Sequence, residues 1–139
     1  MSVDHFIEIK LAADYSSSNI YKILKDGAKA GFVYHDQIWG KDYEDAPILN
    51  EDQATTKVML ALKNNADEGP CVFAKIEESY CNLYFFKNGE NLDFHLGGFR
   101  WEKTKLVEGR SYIDFDYYIR LALDLCKDFA FLELKTDTL

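Results

Sequence analysis

The most constraining feature of the sequence is the stretch 80–96, YCNLYFFKNGENLDFHL, in which apolar and polar residues alternate on both sides of Asn88-Gly89. This dipeptide is a strong signal for a two-residue hairpin turn, because both residues tolerate the positive φ that the turn needs. Pairing outward from the turn sets Phe85 opposite Leu92. Four apolar residues then share one face, and its burial holds the register: Leu83, Phe85, Leu92 and Phe94.

A third strand is predicted just before this hairpin, over residues 71–76. If Glu78-Ser79 forms the connecting turn, Val72 faces Phe85, so the same apolar face continues across three strands. The sequence therefore predicts an antiparallel meander with one core face. The other face carries aromatic and polar residues that form a candidate ligand-binding set: Phe73, Tyr84, Phe86, Asp93 and His95.

The first part of the chain has the pattern of a strand, a helix and a second strand. Residues 5–11 alternate apolar with charged side chains, which is typical of a half-buried strand. Residues 16–19 offer several helix N-caps, and Gly31 is suited to the end of that helix. Residues 32–39, aromatic and apolar, then predict the second strand.

Two more helices and a final strand complete the pattern. Asn50 and Gln53 match a capping box at the start of a second helix, and Ser111 or Asp114 can cap a third. Residues 129–135 are apolar on both faces, which predicts a strand in the interior of the sheet rather than at its edge.

These elements predict one α+β domain over residues 1–139, in the order β-α-β-α-β-β-β-α-β. We expect a mixed sheet rich in antiparallel pairs, with three helices mainly on one of its faces. A chain of 139 residues, 47% of them hydrophobic, can bury a sufficient core without disulfides or a metal.

The charge and cysteine content restrict the classes of function. The formal net charge of −8, from 24 acidic and 16 basic residues, disfavours general nucleic-acid binding and anionic membrane surfaces. Three cysteines without CxxC spacing argue against a disulfide framework. The first residues lack the pattern of a signal peptide, and no apolar run has the length of a membrane span. We therefore expect a soluble protein in a reducing, cytoplasmic-type compartment.

No catalytic set, cofactor motif or metal site is predicted. Asp93 and His95 lie two apart on a strand and could orient a general base or ligate a metal, but a solvated polar pair is the commoner role. His35 and Asp36 could add ligands only if their strand neighbours the meander. The three histidines, at positions 5, 35 and 95, lack the recurrent short spacing of zinc sites.

The remaining functional signal is acidic charge beside aromatic residues. Acidic loops and helix starts can steer a basic protein into contact, and aromatic side chains can anchor it. The sequence therefore predicts a non-enzymatic protein-binding domain, such as an acidic inhibitor or an immunity-like protein, that docks on a basic partner. Its predicted partner-binding residues are Asp42, Tyr43, Glu44, Asp45, Glu51 and Asp52.

Three other interpretations fit the same residues. A small-molecule-binding protein or an enzyme would use a pocket on the aromatic, Asp- and His-bearing face of the meander. A homo-oligomer would instead bury that face against a second copy, since exposed apolar patches often mark interfaces. An ordinary acidic surface that only maintains solubility explains the net charge equally well.

Overall fold

The computed structural model describes residues 5–36, 47–63, 71–76, 79–99 and 104–138, which form nine strands and three helices. In chain order these are β1 (His5–Asp14), α1 (Ser17–Ala30), β2 (Val33–His35), β3 (Ile48–Leu49), α2 (Glu51–Lys63), β4 (Cys71–Ile76), β5 (Ser79–Asn88), β6 (Asn91–Phe99), β7 (Thr104–Val107), β8 (Arg110–Ile113), α3 (Phe115–Leu125) and β9 (Phe131–Thr138).

Seven strands form one sheet in the order β3-β2-β4-β5-β6-β1-β9. Each of its pairings between described strands is antiparallel, and β7 with β8 forms a separate antiparallel hairpin. The predicted α+β class, with an antiparallel-rich sheet and three helices, is confirmed, although the described strands form no parallel pair where a mixed sheet was expected. The structure adds the two-residue β3 and the β7–β8 hairpin to the predicted order of elements.

The meander forms as predicted, but both of its registers differ from the predicted ones by two residues. Phe85 pairs with Phe94 rather than Leu92, and Val72 pairs with Leu83 rather than Phe85. A shift of two residues leaves every side chain on its predicted face, because strand side chains alternate with a period of two. The prediction of which residues are buried is therefore unaffected by the error in register.

The turn between β5 and β6 explains the difference in the hairpin. Asn88 pairs with Asn91, so Gly89 and Glu90 occupy the two turn positions. Gly89 has φ +63°, and neither Asn88 nor Glu90 has positive φ. A turn with glycine first needs only one residue of positive φ, whereas a turn centred on Asn88-Gly89 would need two.

The helix ends follow the local sequence signals. The Ser16 side chain accepts a hydrogen bond from Asn19 N, and Gly31 ends α1 with φ 113°. At the start of α2, Gln53 N donates to Asn50 Oδ1 (2.8 Å) while Asn50 N donates to Gln53 Oε1 (2.9 Å), as predicted for a capping box. Asp114, rather than Ser111, caps α3.

The three helices pack on one face of the sheet. Their buried residues and the inward residues of β1, β5 and β6 belong to a single apolar cluster, so the helices lie on the same side. Fully burying one such large apolar side chain stabilises the fold by about 1.5–3 kcal/mol. The inward sheet residues are Ile7, Ile9, Leu11, Leu83, Phe85, Leu92, Phe94 and Leu96.

The position of β9 contradicts the sequence prediction of an interior strand. Within the described strands β9 pairs only with β1, so it is an edge of the sheet. Leu134 pairs with Ile9 and is half-buried, whereas Leu132 lies at a register irregularity and is 66% exposed. The apolar pattern of this strand therefore arises without a neighbour on both sides.

We predict that Gly89→Ala lowers the free energy of unfolding by about 1–2 kcal/mol, because an L-residue is strained at positive φ. No atom lies within 4 Å of the position of the added Cβ, so the cost comes from the backbone alone. Urea unfolding measures the change. Glu90→Ala, at the neighbouring turn position without positive φ, serves as the control, and an equal loss in both variants would contradict this account of the turn.

Candidate functional site

The candidate site is the face of the sheet opposite the helices, which we call the outer face. Alternation in each strand directs one set of side chains to the core and the other set outward. On the central strands, Glu8 of β1 pairs with His95 of β6, and His95 pairs with Tyr84 of β5. The described outer-face residues that form the candidate site are Phe6, Glu8, Lys10, Tyr84, Phe86, Asp93, His95, Gly97, Glu133 and Lys135.

An aromatic cluster occupies the middle of the outer face. The ring centroids of Phe6 and Tyr84 are 6.5 Å apart, those of Tyr84 and Phe86 are 6.3 Å apart, and those of Phe86 and His95 are 4.6 Å apart. These four side chains are all half-buried. They shield one another on a face that the three described helices do not cover.

Gly97 determines where the Phe6 ring lies. Phe6 and Gly97 are directly opposite on β1 and β6, and a Cβ at position 97 would overlap the Phe6 ring. The ring therefore covers the glycine and fills the space that a side chain would take. The register between the two strands also shifts here, since His5 pairs with Phe99.

Charged residues border the aromatic cluster on the side of β9. Lys10 Nζ lies 3.3 Å from Glu133 Oε2, and Lys135 Nζ lies 3.2 Å from Glu8 Oε2. Lys10 also lies directly opposite Asp93 of the neighbouring strand β6. Partly exposed ion pairs of this kind contribute little stability. They do place carboxylates and ammonium groups in alternation beside an aromatic surface.

The environment of His95 favours its neutral form. Burial is the main cause and lowers the pKa of the imidazole below its usual 6.5, and Lys135 acts in the same direction. Glu8 and Asp93 act in the opposite direction, because their negative charges favour the imidazolium. Near neutral pH the centre of the outer face is therefore uncharged.

The structure brings four of the five predicted ligand-binding residues together. Tyr84 pairs with His95 and Phe86 pairs with Asp93, so all four are neighbours on the outer face. Phe73 is described only by its place in β4, opposite Asn82. Sequence reasoning missed the contribution of β1. The alternation in residues 5–11 indicated outward side chains, but no local signal indicated that β1 would lie beside β6.

The predicted partner-binding residues do not adjoin this surface in the described structure. Asp42, Tyr43, Glu44 and Asp45 lie outside the described residues. Glu51 and Asp52 lie in the first turn of α2, on the helix side of the sheet. Within the described part, these two acidic residues and the outer face therefore occupy opposite sides of the protein.

The chemistry available at the described titratable groups is limited. Asp36 binds Lys57 at 2.8 Å. His35 is buried on β2, which neighbours the meander at β4 but is separated from β6 and His95 by β4 and β5. Cys126 is buried on the α3 side of the core, and burial raises the pKa of its thiol to about 11. Among the described residues, no group of three His, Cys, Asp or Glu side chains is arranged to hold a metal ion.

Two cavities lie away from the outer face. One, of about 560 Å³, lies between the end of α1 and α3 and is lined by charged residues that include Asp116, Arg120 and Asp124. The other, of about 570 Å³, lies beside α2 and has Leu60 and Lys87 in its lining. Neither cavity is lined by the aromatic or carboxylate residues of the outer face.

Comparison with protein-family models, with curated proteins and with solved structures found no match to this chain. The search for a membrane span among the described helices found none with the length and apolar character to cross a bilayer. The arrangement of the outer face is therefore the basis of the functional proposal.

We predict that the His95 imidazole titrates below pH 6.5 and that its neighbours move this pKa in opposite directions. Glu8→Gln should lower the pKa further, and Lys135→Gln should raise it. NMR titration of the imidazole protons measures each value. A His95 pKa at or above the ordinary value, or the same direction of change in both variants, would contradict the geometry described.

The lowered pKa of His95 also determines whether the protein gains or loses stability as the pH falls. The unfolded chain binds a proton at His95 more readily than the folded chain, so the contribution of neutral His95 to stability is present above pH 6.5. It is lost as the pH falls from 6.5 through the lower pKa of the folded state. His95→Gln should remove this part of the pH dependence of urea unfolding.

Proposed function

We propose that the protein is a non-enzymatic protein-binding domain that docks on a basic partner protein through its outer face. The carrying observation is the cluster of half-buried aromatic residues, bordered by carboxylates, on the side of the sheet away from the helices. Aromatic residues at the centre of an interface supply most of its binding energy when they are desolvated. An inhibitor or immunity-like protein would act by such docking.

The charges on and around the cluster favour a basic partner. Glu8, Asp93 and Glu133 provide three carboxylates on the described outer face, against the two ammonium groups of Lys10 and Lys135. The net charge of −8 adds a long-range attraction for basic proteins, which raises the rate of encounter at low salt. Glu51 and Asp52, on the helix side of the sheet, would contribute to this steering without touching a partner on the outer face. Asp42, Glu44 and Asp45 add to the same net charge.

The alternative is a small-molecule site or an active site on the same face. A carboxylate at Asp93 and a neutral imidazole at His95 are suitable groups for it, since both lie beside the ring of Phe86. Binding sites for small molecules are usually concave and enclose most of the ligand. Neither of the two cavities described is lined by these residues, so neither supports the alternative.

A reducing, cytoplasmic-type location belongs to the same proposal. It rests on the cysteine content and spacing, and it is consistent with the buried free thiol of Cys126. No cofactor is needed for binding of this kind.

The test is affinity capture from the native host at low salt, with the purified protein immobilised. We expect a basic protein to be retained and to be released as the ionic strength rises, because exposed charges are screened by salt. Phe86→Ala should weaken retention by about thirtyfold, the effect of removing an interface anchor worth about 2 kcal/mol. Circular dichroism and urea unfolding check that the variant is folded.

Tyr112→Ala is the matched control, because Tyr112 is an exposed aromatic residue on β8 rather than on the outer face. Its retention of the basic protein should equal that of the wild type. The proposal fails if nothing basic is retained at low salt. It also fails if folded Phe86→Ala retains the partner as well as Tyr112→Ala does.

A further inference from the structure

The strand β9 leaves one side of the sheet open to backbone pairing. Within the described residues it pairs with β1 on one side only, so the N–H and C=O groups on its other side have no strand to bond with. A row of such groups is a template for adding another strand. The opposite edge, β3, has only two residues, whereas β9 has eight.

The sequence of β9 is that of a covered strand. Residues 129–135 have the apolar pattern that predicts an interior strand, yet Leu132 is 66% exposed at the edge. Leu134 is half-buried against the core side, where it pairs with Ile9. A strand added beside β9 would cover the exposed apolar surface that the described chain leaves there.

We propose that the occupant of this edge is β9 of a second copy of the chain, in an antiparallel pair that makes a two-fold symmetric dimer. In the register centred on Leu134, Leu134 lies opposite the partner's Leu134. Glu133 then lies opposite the partner's Lys135, and Lys135 opposite the partner's Glu133. Opposite charges directly across an antiparallel pair are favourable.

The neighbouring registers are disfavoured by charge. In a two-fold antiparallel pair, one residue of β9 lies opposite the same residue of the partner. The registers next to the one centred on Leu134 are therefore centred on Glu133 and on Lys135, and all three keep the core-facing side chains of the two strands on the same side. Centring on Glu133 sets two carboxylates face to face, and centring on Lys135 sets two ammonium groups face to face. Like charges directly opposite destabilise the pair, so of these three registers only the one centred on Leu134 is complementary. Centring on Thr136 would set Lys135 opposite the partner's Asp137, but it pairs only residues 134–138 of β9 and leaves Leu132 outside the pair.

This register also extends the charge alternation already present across the outer face. Within one chain, Glu8 contacts Lys135 at 3.2 Å and Lys10 contacts Glu133 at 3.3 Å. In the dimer the row would run Glu8, Lys135, the partner's Glu133, the partner's Lys10. Symmetry repeats the row in the opposite direction, so Lys135 and Glu133 of each chain have an opposite charge on both sides.

The dimer leaves the outer face free. Edge-to-edge pairing joins the two sheets side by side, with both outer faces on the same side of the assembly. The inference rests on β9 and its charges, and it stands whether or not the outer face binds a basic protein. The oligomeric state therefore tests it separately from affinity capture.

Sedimentation equilibrium over a concentration series tests the dimer with two charge reversals. We expect the wild type to reach twice the monomer mass. Glu133→Lys and Lys135→Glu should each raise the dissociation constant about tenfold or more, because two attractive pairs become repulsive in each dimer. An equimolar mixture of the two variants should recover a dimer, since the chain with two lysines faces the chain with two glutamates.

Arg110→Glu on β8 is the matched control, because it reverses an exposed charge away from β9 and should leave the dissociation constant unchanged. A monomeric wild type overturns the proposal. So does a dimer that persists in both single variants, since the interface is then elsewhere. Folded single variants that stay monomeric when mixed overturn the register centred on Leu134.

Discussion

The burial of one face of the antiparallel sheet is the constraint on which the rest of this structure depends. The rings of Phe85 and Phe94, 5.5 Å apart on adjacent strands, lie at the centre of a core that the three helices cover. Because the side chains of a strand alternate between its two faces, the residues before and after each core residue of a strand point outward. The outer face and its aromatic cluster are therefore a direct consequence of how the core is filled.

The outer face differs from an ordinary solvated sheet surface in its central residues. Tyr84, Phe86 and the neutral His95 form an apolar area, while carboxylate and ammonium groups alternate across β1 and β9 beside it. An uncharged, aromatic centre with a polar border is the arrangement on which the protein-binding proposal rests. The alternation of charge also reaches the open edge of the sheet, so the face and the edge are parts of one continuous surface.

Much of the fold followed from local signals, and the errors have a common physical origin. The caps at Ser16 and Asn50 and the meander formed as predicted, because each depends on residues close together in the chain. The register of the β5–β6 hairpin was displaced by two residues, since Gly89 adopts positive φ whereas Asn88 and Glu90 do not. The edge position of β9 was missed, because an apolar pattern records burial on two faces but not the number of neighbouring strands.

The sequence by itself determined the class of fold, the helix ends and the face on which each meander side chain lies, because these depend on local chemistry and on a period of two. It also placed Tyr84, Phe86, Asp93 and His95 on one face. Only the tertiary structure decided that β1 lies between β6 and β9, which brings Glu8 to His95 and leaves β9 at the edge. Pairing of strands distant in the chain depends on packing against the shared core, and it leaves no signal in either strand alone.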